Sequence, residues 1–124
     1  MLVNLSNHPS AKWDNKQKQT AEKSYGHIAD MPFPAIDPFA PPGQITQLAN
    51  SYLKNILDTL NSVTSDTKPH AVHIQGEFTF VCKLVTMLKQ AGITCVASTT
   101  TRNVTENENG EKTVKFNFVQ FREY

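Results

Sequence analysis

The sequence predicts a single α/β domain with a mainly parallel sheet, helices on both faces and a C-terminal antiparallel hairpin. Three observations carry that reading. Short apolar runs alternate with longer segments of helical periodicity, the order that gives parallel strands joined by crossover helices. The 124 residues suit one hydrophobic core, and no shift of composition divides them. Near the end the alternation gives way to two strand-like runs flanking Asn109-Gly110, a strong hairpin signal.

Met1 to Leu5 is a short apolar run closed by turn residues, and it predicts a first, buried strand. Ser6 to Ser10 breaks the chain. Trp13 to Tyr25 predicts a polar helix with Trp13, Gln17 and Ala21 on one face, stopped by Gly26. His27 to Met31 follows as a short second strand. Pro32 to Gly43 holds five prolines and predicts an ordered loop, with Phe33, Ile36 and Phe39 as apolar anchors. Gln44 to Val63 carries the clearest helical period: Ile45, Leu48, Ala49, Tyr52, Leu53, Ile56, Leu57 and Leu60 fall on one stripe. A polar connector from Thr64 to Pro69 leads to a third strand at Ala71–Ile74, stopped by Gly76. Phe78 to Ala91 predicts an apolar helix closed by Gly92. Ile93 to Ala97 is a fourth strand able to run on through the threonines. In the hairpin, Val114, Phe116 and Phe118 alternate with Lys115 and Asn117, which predicts one buried face and one wet face.

Composition narrows the function classes. Hydrophobic residues make up 39% and charged residues 19%, with a mean hydropathy of -0.40. No apolar run approaches the ~20 residues of a membrane helix. The first residues lack a basic region, a long apolar stretch and a cleavage site, so a cytoplasmic protein is expected. A net charge of +1 disfavours coating of long nucleic acid, which depends on neutralising many phosphates. Cys82 and Cys95 lie in apolar surroundings without metal-like spacing and read as buried thiols in a reducing compartment.

In an open parallel sheet, ligands bind beyond the carboxyl ends of the strands. Three polar segments are expected there. Ser6-Asn7-His8-Pro9-Ser10 is a strand-to-helix turn whose amide groups suit a phosphate, with His8 available as general acid or base. The plainer alternative has Ser10 capping the helix and His8 solvated. In Gln75-Gly76-Glu77-Phe78-Thr79, Gly76 would let the backbone approach a ligand. Glu77 would meet a sugar hydroxyl or a base, or simply cap the helix. In Ser98-Thr99-Thr100-Thr101-Arg102, Arg102 has the planar donor fork that grips phosphate, although threonines are also good strand formers. His70 and His73 read as satisfied strand histidines, since no cysteine or carboxylate nearby completes a metal set. Trp13 reads as a core residue, and the lysines at 12, 16, 18 and 23 as a solvated helix face.

The run Asn4-Leu5-Ser6-Asn7-His8-Pro9-Ser10, followed by Trp13 and Gln17, resembles the small stand-alone CRISPR-associated proteins grouped with the ring nucleases. The segments His73 to Thr79 and Ser98 to Arg102 are similar to that group as well. The resemblance implies a CARF-like Rossmann domain that dimerises and binds cyclic oligoadenylate, the second messenger of type III CRISPR defence. It also implies metal-independent opening of the ring without a cofactor: a ribose 2′-hydroxyl attacks the adjacent phosphorus and leaves a 2′,3′-cyclic phosphate. On that reading His8, Arg102 and Ser6 are catalytic, while Asn7, Ser10, Gly76, Glu77, Thr79, Ser98, Thr99 and Thr100 bind the ligand. The proline-rich loop, the long hairpin and the lack of a lysine at the second turn depart from the group. A sequestering protein of the same fold, enlarging its assembly on the ligand, is the alternative.

Overall fold

The computed structural model describes residues 1–64 and 67–124, so the connector expected over Thr64–Pro69 lies partly outside the described residues. Strand β1 (Leu2–Ser6) leads through a 3₁₀ turn (Ser10–Lys12) into helix α1 (Asn15–Tyr25) and strand β2 (Ile28–Asp30). Helix α2 (Pro42–Asn61), strand β3 (Ala71–Gln75), helix α3 (Phe78–Gln90) and strands β4 (Thr94–Glu106) and β5 (Lys112–Glu123) complete the chain. The sheet order is β2-β1-β3-β4-β5. The first four strands pair in parallel and β5 pairs antiparallel to β4, a Rossmann-like arrangement.

Strand alternation sends the two faces into different packing. Val3, Leu5, Val72 and Ile74 point toward α2 and α3, where Ile56, Leu60, Phe80, Leu84 and Leu88 bury them. Leu2, Ala71 and Val96 point the other way and pack with Trp13, Ala21 and Phe121 under α1. That second cluster covers only the amino-terminal half of its face. Toward the carboxyl ends of the strands the same face turns polar, with Asn4, Ser6 and His73 all buried.

Several boundaries differ from the sequence expectation. Helix α1 begins at Asn15, because Asp14 accepts the Gln17 N–H as its N-cap. Ser10 therefore starts the 3₁₀ turn and does not cap α1, and Trp13 sits between the two with its indole buried. Helix α2 starts inside the proline-rich segment, at Pro42, where a missing N–H costs nothing in the first turn. Strand β4 does run unbroken through the threonines. Cys95 is buried, and burial pushes its thiol up to about 11; Cys82 is exposed, because α3 turns Phe80, Leu84 and Leu88 inward and leaves Cys82 outside.

The largest correction concerns the hairpin. Phe118 is buried, but Phe116 is 62% exposed, Val104 48% and Val114 43%. Strand β3 pairs with β4 only as far as Val96, so from Ala97 onward β4 has β5 as its one partner. The ribbon then projects past the body as an arm. Among the described residues no helix is long and apolar enough to cross a membrane.

Candidate functional site

Asn4 on β1 and His73 on β3 are register partners in adjacent strands, at the point where the chain order reverses. A polar side chain in the middle of each apolar strand costs stability unless it is bonded, and both are. Asn4 donates its amide nitrogen to Asp30 Oδ1 at 2.7 Å and to the His8 carbonyl at 2.9 Å. Its Oδ1 is thereby turned to His73 Nδ1, at 2.8 Å. On the far side of the ring, Nε2 lies 2.7 Å from Ser98 Oγ and 2.9 Å from Gln75 Oε1. Burial, reinforced by the nearby His8, lowers the His73 pKa to about 4 despite the bond to Gln75. The imidazole is therefore neutral near pH 7, with Nε2 held between the Ser98 hydroxyl and the Gln75 carbonyl oxygen.

Around this ring the site is rigidly built. Gln17 of α1 donates to Ser98 Oγ at 3.0 Å, and the Gln75 amide donates to the Ser98 carbonyl at 3.1 Å. The Trp13 indole stands edge-on to the His73 ring at 5.3 Å, and its Nε1–H donates to the His8 carbonyl at 3.0 Å. That carbonyl also faces Ser6 Oγ at 3.2 Å, so the turn after β1 is held from three sides. Asp30 accepts from the Ser10 backbone and hydroxyl. Burial alone would raise its pKa, but the hydrogen bonds from Asn4 and Ser10 outweigh it and hold the carboxyl below its usual range.

Above the network opens a cleft of about 450 Å³. Its floor is His73, Gln75 and Ser98; one wall is His8, Lys12, Trp13, Asp14 and Gln17, and the other is Thr100, Phe116 and Phe118 from the arm. Lys12 and His8 give one wall two anion-binding groups, while the Asp14 carboxylate is engaged in capping α1. On the opposite wall Phe118 is buried and Phe116 exposes its ring.

The structure brings some of the expected residues together and separates others. His8, Ser98 and Thr100 line the cleft. Arg102 lies beside it, paired across the arm with Phe116. Ser6 is buried beneath the turn, where it accepts the His8 N–H, and Ser10 is tied to Asp30. Asn7 is exposed on the turn but does not line the cleft. Thr99 points to the opposite face and reaches the Gln120 carbonyl. A Cβ at Gly76 would collide with the ring of Phe33, so the close neighbour there is the proline-rich loop. Glu77 caps α3, accepting from the Thr79 and Phe80 backbone, and Thr79 donates its hydroxyl to Glu77. The Phe80 N–H is the largest influence in lowering the Glu77 pKa, followed by Thr79.

Of the residues in the cleft and its network, the sequence reading did not single out Asn4 or Phe116 as site residues; it took Lys12 as solvated and His73 as a satisfied strand histidine, which its hydrogen bonds bear out, and it gave Gln75 no role within its polar segment. One signal was present: Asn4 in LVNLS and His73 in AVHIQ each interrupt an apolar strand at the same internal position. His70, by contrast, belongs elsewhere; its Nδ1 lies 3.0 Å from the terminal amine of Met1.

Strand order 2-1-3-4-5, with a polar cleft over the carboxyl end of β3 and the adjoining part of β4, defines a doubly wound α/β protein with a candidate ligand site beside its switch point. The chain belongs to the MJ1673 family, described as an uncharacterized protein family, whose model matches residues 1–122. No curated protein and no solved structure matches it.

Proposed function

We propose that the cleft binds a cyclic oligoadenylate and opens the ring by internal transesterification. One observation carries the reading: a single cleft joins anion-binding groups, an aromatic wall and a buried neutral imidazole. The resemblance of the Ser6–Ser10 turn and of the Ser98–Arg102 segment to the ring nuclease group supports the same choice. Lys12 faces a phosphate, Phe116 takes a base on its ring, and Ser98, Gln17 and Thr100 meet ribose or phosphate oxygens. The ribose 2′-hydroxyl attacks phosphorus, the bond to the 5′ oxygen breaks, and a 2′,3′-cyclic phosphate remains. The 2′ proton passes to a base and the departing oxygen receives one; His8, at the cleft mouth, serves this exchange. Arg102 and Lys12 offset the charge that gathers on the phosphorane oxygens. The setting for such a messenger is the cytoplasm.

Sequestration without turnover has a specific observation in its favour. Ser6 and His73 are held in internal hydrogen bonds, which leaves His8 as the freely placed acid–base group of the cleft. Incubation of chelator-treated protein with labelled cyclic oligoadenylates separates the two readings. Cleavage predicts linear products ending in a 2′,3′-cyclic phosphate, slowed at least about tenfold by His8→Ala or Arg102→Ala. A ring that stays intact while tightly bound excludes cleavage and leaves the sequestering reading.

A further inference from the structure

The arm presents an apolar face that is left exposed among the described residues. Phe116 and Val114 on β5 pair across the ribbon with Arg102 and Val104 on β4, and the next pair toward the tip is Glu106 with Lys112. Alternation along β4 places all six on the α1 side of the sheet, continuous with the cleft-lining Thr100. A two-stranded ribbon is marginal on its own in water, and three large apolar side chains on its open face call for a cover.

We infer that a second copy of this chain provides it: two arms pack face to face, running in opposite directions about a two-fold axis at the Val104–Val114 pair. The order of residues along the face is self-complementary under that rotation. Val104 and Val114 meet their own copies at the axis. Arg102 falls opposite Glu106 of the partner subunit, and Phe116 falls opposite Lys112 of the partner subunit, an ion pair and a cation–π contact on each side of the axis. Pairing in the same direction is blocked, because α1 rises from this face at the arm's base, where Trp13 and Tyr25 pack on Phe121. The opposed arrangement carries each tip toward the cleft of the other protomer and adds a lysine to its aromatic wall. The inference stands on the arm alone and does not depend on which ligand the cleft takes.

Sedimentation across a concentration series tests it, with circular dichroism confirming that each variant folds. Wild-type protein should be a dimer; Arg102→Glu alone and Glu106→Arg alone should each weaken it at least about tenfold, and the double exchange should restore it. Phe116→Glu should give a monomer. In a Cys82→Ser background, Val104→Cys should form a disulfide-linked dimer under mild oxidation, whereas Thr113→Cys, on the opposite face of the arm, should not. A wild-type chain that stays monomeric, or a dimer indifferent to Phe116→Glu and to the charge exchange, overturns the inference.

Discussion

His73 concentrates much of what the site does into one ring. Its Nδ1 faces Asn4, its Nε2 faces Ser98, and burial keeps it uncharged, with a pKa of about 4 in place of the usual 6.5. This has a thermodynamic consequence. Between pH 6.5 and about 4 the unfolded chain takes up a proton that the folded chain refuses, so stability is full above pH 6.5 and falls as the pH drops toward 4. The difference is worth roughly 3 kcal/mol across that window. Asp30, with its pKa held below the usual carboxylate value, loses its contribution only at still lower pH. Urea unfolding at a series of pH values should therefore show a slope in this window that His73→Gln reduces. An unchanged slope in His73→Gln would show that the proton is taken up elsewhere.

At the scale of elements, the proline-rich segment is part of the architecture. Phe33 lies against the backbone of Gly76 at the end of β3 and stands edge-on to Phe80 of α3 at 5.4 Å. A methyl at position 76 has no room unless that ring moves, so Gly76→Ala should cost about 2 kcal/mol in urea unfolding. Phe33→Ala should make the same substitution cheaper, by about 1 kcal/mol, because the two sites share one space. Additive effects in the double variant would contradict the packing described here. The same elements show how far the sequence could be read. The strands, three helices and hairpin were legible because each is written locally, in apolar runs, in the period of Gln44 to Val63 and in Asn109-Gly110. The network joining Asp30, Asn4, His73 and Ser98 was not, since its members come from four strands whose adjacency exists only in the folded sheet. Alternation likewise marked which side of the hairpin is apolar, but a strand pattern carries no information on whether anything lies above that side. Gly76 was expected to let a ligand approach, but the group against it is Phe33, 43 residues away in the chain.

The whole molecule is a sheet with unequal ends. Its amino-terminal half is packed with apolar side chains on both faces, and its carboxyl end opens on the α1 side into a cleft bounded by a projecting arm. On the proposed reading, recognition of an anion rests on a few local groups, Lys12, His8 and Arg102, with Phe116 offering its exposed ring to a base. The most direct measurement is equilibrium binding of labelled cyclic oligoadenylates of different ring sizes to the wild-type protein and to Lys12→Glu and Phe116→Ala. One ring size should bind, with adenosine monophosphate and triphosphate failing to compete, and each variant should weaken binding at least about tenfold. Failure of every cyclic oligoadenylate to bind, or binding left unchanged by both variants, would contradict the assignment of this cleft.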